Sequence, residues 1–276
     1  MRFVRRPGAL PALIAAVLAL APRLAHAQDA GGLRDFCAER PGRATPPCIV
    51  DVGRVMIEVD GLDLTRNRDA GLTQTSLVAL SPHLRFGLTP NLEWGVNFTP
   101  FTETRVRGDP AARATTRGTG DTTLDLKFSL LNPGGAGPSV AILPFVSLPT
   151  AQHGLGAGGF QGGVIAPVAL ALPSGFSLSL APELDVVRNG EGGVRPLYVS
   201  AISLGHALTP QLSGAVELWA SAEHAPDGWE KHATADVALA WIPKARPNLQ
   251  LDAGVNLGLN HSAPDVQAYV GASRRF

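Results

Sequence analysis

From Arg54 to Phe276 apolar and polar residues alternate at every second position, in segments about a dozen residues long. Leu92, Trp94, Val96 and Phe98 alternate with Glu93, Gly95, Asn97 and Thr99, and Leu124, Leu126, Phe128 and Leu130 with Thr123, Asp125, Lys127 and Ser129. The same holds for Phe176, Leu178, Leu180, Leu184 and Val186 against Ser177, Ser179, Glu183 and Asp185. It holds again for Leu249, Leu251, Val255, Leu257 and Leu259 against Gln250, Asp252 and Asn256. A period of two sends successive side chains to opposite faces of an extended strand, whereas helical spacing would mix them. After residue 27 no apolar run reaches the length of a spanning helix. Charged residues make up 17%, below the roughly 25% of soluble domains, with 31 Gly and 23 Pro. So much apolar surface, distributed one residue in two, suits strands with one face in lipid and the other in a polar interior. A formal net charge of zero gives no pull toward nucleic acid.

The pattern predicts twelve strands at 54–64, 74–88, 92–104, 120–131, 139–150, 160–172, 176–188, 196–208, 212–223, 232–243, 248–259 and 265–276. Tight turns marked by Pro or Gly follow every second strand, at 89–91, 132–138, 173–175, 209–211 and 243–247. Most of the other connections read as longer and more polar, the longest at 105–119. Short turns at one end and long loops at the other predict an all-β fold, a transmembrane antiparallel up-and-down β-barrel. Leu88-Thr89-Pro90-Asn91-Leu92 and Leu208-Thr209-Pro210-Gln211-Leu212 are near-copies, in keeping with added hairpin units.

Three units follow. Residues 1–27 read as a secretory signal, with Arg2, Arg5 and Arg6 before the apolar stretch 8–21, and Ala25-His26-Ala27 ahead of a cut at Gln28. Residues 28–53 form an N-terminal segment expected in the periplasm, and 54–276 the barrel. Cys37 and Cys48 are the two cysteines, and in an oxidising compartment they are expected to form a disulfide across a Pro-rich loop. Two thiols without a nearby histidine make a poor zinc shell, so no metal is expected.

With the tight turns periplasmic, Phe86, Trp94, Phe128, Phe176, Trp241 and Phe276 fall near the periplasmic ends of outward faces, as an aromatic girdle. Phe276 closes the last strand and matches the terminal aromatic that the outer-membrane assembly machinery reads, although Arg274 stands where a further aromatic is usual. At residues 40–54 (RPGRATPPCIVDVGR) and 249–276 (LQLDAGVNLGLNHSAPDVQAYVGASRRF) the chain resembles the outer-membrane proteins named after the meta-pathway of phenol degradation, often labelled transporters. The resemblance implies a barrel taking up small or aromatic compounds, and it brings no set of binding residues with it.

Catalytic signatures are missing: there is no G-x-S-x-G, H-E-x-x-H, C-x-x-C or phosphate loop. The glycine-rich run 154–163 precedes a strand rather than a helix and reads as an outer loop. Neither cofactor nor enzyme activity is expected. A lipid-modifying enzyme would need a Ser–His pair, and His83, His153, His206, His224, His232 and His261 do not supply one on these registers. The inward positions carry Glu58, Asp60, Glu93, Asp125, Glu183, Asp185, Glu217, Asp236 and Asp252, against Arg85 and Lys127, with His83 beside them. Buried charge requires partners. The excess of acids means that water reaches much of the interior or that several acids are protonated; it favours a hydrated passage over a solid plug, and with it a channel or transporter for small molecules in the outer-membrane bilayer. The alternatives are a closed structural or adhesion-type barrel and, third, a lipid-modifying enzyme.

Overall fold

The computed structural model describes residues 32–108, 113–135, 137–152, 154–189, 193–225 and 228–276. Its strands are β1 (Val55–Asp69), β2 (Leu72–Thr89), β3 (Leu92–Phe98), β4 (Phe101–Arg107), β5 (Ala114–Gly118), β6 (Thr122–Leu131), β7 (Ser139–Leu148) and β8 (Gln161–Ile165). They continue with β9 (Val168–Ala171), β10 (Phe176–Arg188), β11 (Val194–Ala207), β12 (Leu212–Ala225), β13 (Gly228–Trp241), β14 (Leu249–Gly258) and β15 (Val266–Arg275). Three wall positions are each shared by two strands. β3 and β4 pair successively with β2, β5 pairs with β4 while β6 pairs with β3, and β8 and β9 both lie between β7 and β10. Pro100 and Pro167 stand at two of these breaks, because proline has no N–H for the ladder. Counted by position, the wall is a closed antiparallel barrel of twelve strands. β1 closes it against β15 from Met56–Arg275 to Arg66–Val266, and the Phe276 amide donates to the Val55 carbonyl at 2.8 Å. Closure removes the edges of the wall, and β5, paired with β4 alone, keeps one free side at the loop end.

Polarity is inverted relative to a soluble fold. Leu62, Leu130, Leu184, Val216, Leu218, Val237 and Leu257 are exposed on the outside, while Glu58, Arg85, Glu93, Lys127, Asp236 and Asn256 are buried within. No helix among the described residues is long and apolar enough to cross a membrane. The crossing is made by strands, with the outward band in lipid and the polar face inside. The six girdle aromatics lie on outward positions toward the tight-turn end, Phe86 and Trp94 stacked with centroids 5.0 Å apart.

At the loop end several strands run further than the alternation predicts, while the expected strands 92–104 and 160–172 are each broken in two. Residues 65–73 were expected as a loop, but β1 and β2 continue to a tight turn at Ala70-Gly71, whose φ angles of 47° and 80° fit a type I′ hairpin. The expected loop 105–119 is in large part strand, as the ends of β4 and β5, and β12 and β13 likewise extend to Ala225 and from Gly228. Polar composition there marks contact with water, while the backbone keeps its ladder beyond the apolar band. The glycine-rich run behaves as expected up to Phe160, with the Asp121 carboxylate accepting from the Ala151 and Ala157 amides at 2.9 Å; its last residues enter β8.

A further departure is a bulge. Asp60 faces Gly271 but Leu62 faces Val270, so Gly61 is an extra residue, and Leu80 opposite it takes φ 54°. The bulge exchanges the faces of β1. Glu58 and Asp60 point inward below it, and above it Leu62 and Leu64 point outward while the Asp63 carboxylate accepts from Gln267 at 2.6 Å. Residues 1–31 and His153 lie outside the described residues, so the signal segment and its cut are not part of this description.

Candidate functional site

The lumen brings the expected interior residues together around the N-terminal segment. Residues 32–54 run inside the barrel. The segment enters at the tight-turn end, where the Arg34 guanidinium donates to the Pro90 carbonyl at 2.9 Å and Arg275 donates to Asp51 at 3.0 Å. It rises to Ala44, which packs on Ala181 and Ala201 beside Ile165 and Trp219. It then returns, and the Gly53 amide bonds the Gly87 carbonyl at 2.9 Å. The Cys37–Cys48 disulfide, with Cα atoms 6.4 Å apart, joins the rising and returning arms at the neck of this loop.

At that neck lies a buried charge cluster. Arg85 is fully buried, with Nη1 2.6 Å from Glu58 and its Nε and Nη2 donating to Glu93 at 2.9 and 3.0 Å. Lys127, equally buried, contacts Glu39 and lies 3.3 Å from Glu93. The segment's backbone joins in, with the Glu39 and Arg40 amides donating to Glu58 and the Val50 amide to Glu93. Burial alone would raise the Glu39 carboxyl, but the charges of Lys127 and Arg85 outweigh it and hold it well below the usual carboxylate range.

The two sides of the lumen above this cluster differ. On the β12–β15 and β1 side, the segment supplies arginines. Arg40 pairs with Asp60 and, at 2.8 Å, with Asp252, and lies over the Tyr269 ring. Tyr269 itself has room to lie flat because Gly254 faces it: a Cβ there would stand 2.3 Å from its hydroxyl. Arg43 sits 3.7 Å from Asp236 and 4.5 Å over the Trp219 ring, while its amide and that of Ala44 donate to Glu217 at 2.7 and 3.0 Å. On the β6–β10 side the acids face a cavity of about 240 Å³. Asp125 and Glu183 line it with His83, Asn97 and Thr123, Leu143, Phe145 and Ile165 form an apolar wall, and the segment contributes Glu39 and Thr45. His83 bridges Asp125 at 2.9 Å and Glu39 at 3.3 Å. Asp185 stands next to Glu183, and among the described residues neither has an ion pair. One carboxylate oxygen of Asp125 and one of Asp185 lack any hydrogen-bond partner, as do both of Asp236 on the opposite side.

The expectation that water must reach much of the interior is therefore narrowed: Arg40 and Arg43 pair with Asp60, Asp252 and Asp236 on one side, while on the other Glu183 and Asp185 have no ion pair among the described residues. Both arginines were legible in the sequence, but in a segment counted as separate from the barrel. Among the described residues no three potential ligands gather for a metal, and no hydrogen bond joins a histidine to a serine. His206 stacks on Phe176 at 4.4 Å, His224 meets the edge of Trp229, and His232 lies 3.2 Å from Glu230, all away from the cavity.

The profile of the family described as MetA-pathway of phenol degradation matches residues 38–276. The chain belongs to this family. Among solved structures, the COG4313 outer membrane channel from Pseudomonas putida F1 superposes with a TM-score of 0.68 at 18% identity, over 86% of this chain and 99% of that one. The NanC porin follows at 0.48 and 8%, over 77% and 98%. Comparison with curated proteins gives no match. For this member of the phenol-degradation family the match to the Pseudomonas channel supports the fold: an outer-membrane type of barrel, set in the lipid bilayer.

Proposed function

We propose that the protein is an outer-membrane channel for small molecules, with its passage running beside the luminal segment along the β6–β10 wall. The observation that carries this reading is the cavity between that wall and the segment, where apolar and acidic groups face each other across open space. Phe145, Leu143 and Ile165 suit an aromatic or hydrophobic body, in keeping with the family's name. Carboxylates in a confined, low-dielectric wall attract cations and repel anions. Export would proceed by cleavage before Gln28, and Phe276 would serve the barrel-assembly machinery.

Liposome swelling with the purified mature protein tests the channel. Small neutral solutes should enter at a rate well above that of empty liposomes. Absence of swelling would favour a closed structural barrel, the reading supported by the dense bonding of the segment at the turn end.

A further inference from the structure

On the outer face, above the apolar band, arginines are arranged in register. Beyond the bulge at Gly61 the outward positions of β1 are Leu62, Leu64, Arg66 and Arg68, all exposed. Arg66 lies opposite Thr75, and Thr75 opposite Arg105; Arg68 lies opposite Thr73, and Thr73 opposite Arg107. Arg66 and Arg105 thus form one row across two strand spacings, about 10 Å, with Arg68 and Arg107 forming the next row about 7 Å further along the strands. Threonine hydroxyls stand between them. Arg117 of β5 extends the patch, facing Glu103. Glu103 is engaged by Arg105 and Arg117, which leaves Arg66, Arg68 and Arg107 without an ion-pair partner among the described residues.

A barrel with both its described entry and its terminus at the tight-turn end carries this patch at the opposite end, where strands leave the lipid. Leu62, Leu64 and Phe101 lie just below it on the same face. Unpaired guanidinium groups directly above a lipid-facing apolar stripe meet the headgroup layer, and the guanidinium fork matches phosphate oxygens two at a time. Basic residues at a membrane boundary draw anionic headgroups by this means.

We propose that the face formed by Arg66, Arg68, Arg105 and Arg107 is a binding site for the phosphate groups of an anionic lipid in the outer leaflet. The lipid's acyl chains would lie along Leu62, Leu64 and Phe101.

The test uses the purified mature protein in detergent, with diphosphorylated lipid A, the same lipid stripped of its phosphates, and inorganic phosphate as probes. The protein should retain the phosphorylated lipid through gel filtration, and R66Q/R68Q/R107Q should weaken retention at least tenfold while keeping the heat-dependent gel shift of a folded barrel. The stripped lipid should not be retained. Inorganic phosphate at millimolar concentration should compete weakly, which separates a lipid site from a free-anion site. As a control, K244Q/R246Q removes exposed charge at the turn end and should leave retention unchanged. Equal retention by the triple variant, or equal retention of the stripped lipid, would overturn the proposal.

Discussion

Two sides of one lumen carry the same residue type and treat it differently. Along β12 to β15 and β1, Glu217, Asp236, Asp252 and Asp60 meet Arg40 and Arg43 of the luminal segment. Along β6 to β10, Asp125 and Glu183 line a cavity with Asp185 beside Glu183, and His83 is the one basic group bonded to these acids among the described residues. Carboxylates alone therefore do not define a passage. Where Arg40 or Arg43 pairs with them they fasten the segment, and along β6 to β10, where the segment brings no arginine, they border a cavity. The segment supplies that contrast, and breaking its attachments should erode it.

The largest effect is expected at the neck. Arg85→Gln removes the cation shared by Glu58, Glu93 and Glu39 in a fully buried cluster. Deleting one partner of such a network costs about 3–5 kcal/mol. Denaturant unfolding in detergent should register a loss of that order, and conductance should rise as the segment loosens. A variant as stable as the parent would mean the cluster is not what holds the segment.

Next is the disulfide. Cys37→Ser with Cys48→Ser should cost about 2–3 kcal/mol, the order expected for a short closed loop. The segment should become susceptible to protease added from the turn side, while the barrel remains resistant. Protection identical to the parent would show that the lateral contacts suffice.

The smallest effect is in pH. Because the Glu39 carboxyl is held below its usual range, its contribution to docking is fully present above the ordinary carboxylate pKa and is lost as pH falls through its lowered value. Segment protection should stay constant from neutral pH down through about pH 4, near the ordinary Glu pKa, and decline only in stronger acid. Glu39→Gln should flatten that acid limb. A decline beginning near neutrality would assign the docking to another group.

The barrel was legible because alternation is local: Leu124 to Leu130 declare two faces without reference to any other strand. The inward set followed from the same alternation. What remained illegible was set by non-local contacts. The face exchange at Gly61 is visible in retrospect, since Glu58 and Asp60 are followed by Asp63 rather than by an acid at 62, but a single glycine does not announce a bulge. Residues 32–54 lack periodicity altogether, and what places Arg40 against Asp252 is a contact across most of the chain. The charge imbalance of the wall was the available signal that cations must come from elsewhere.

The central claim, that the passage lies along the β6–β10 wall, is tested most directly by reversal potentials across a salt gradient in planar bilayers. Asp125→Asn and Glu183→Gln should each reduce cation preference, with the parent's preference also falling as salt rises and screening shortens to about 3 Å at 1 M. Asp236→Asn, on the side held by Arg43, should leave selectivity unchanged. Equal loss of selectivity from Asp236→Asn, or an anion-selective parent, would contradict the account.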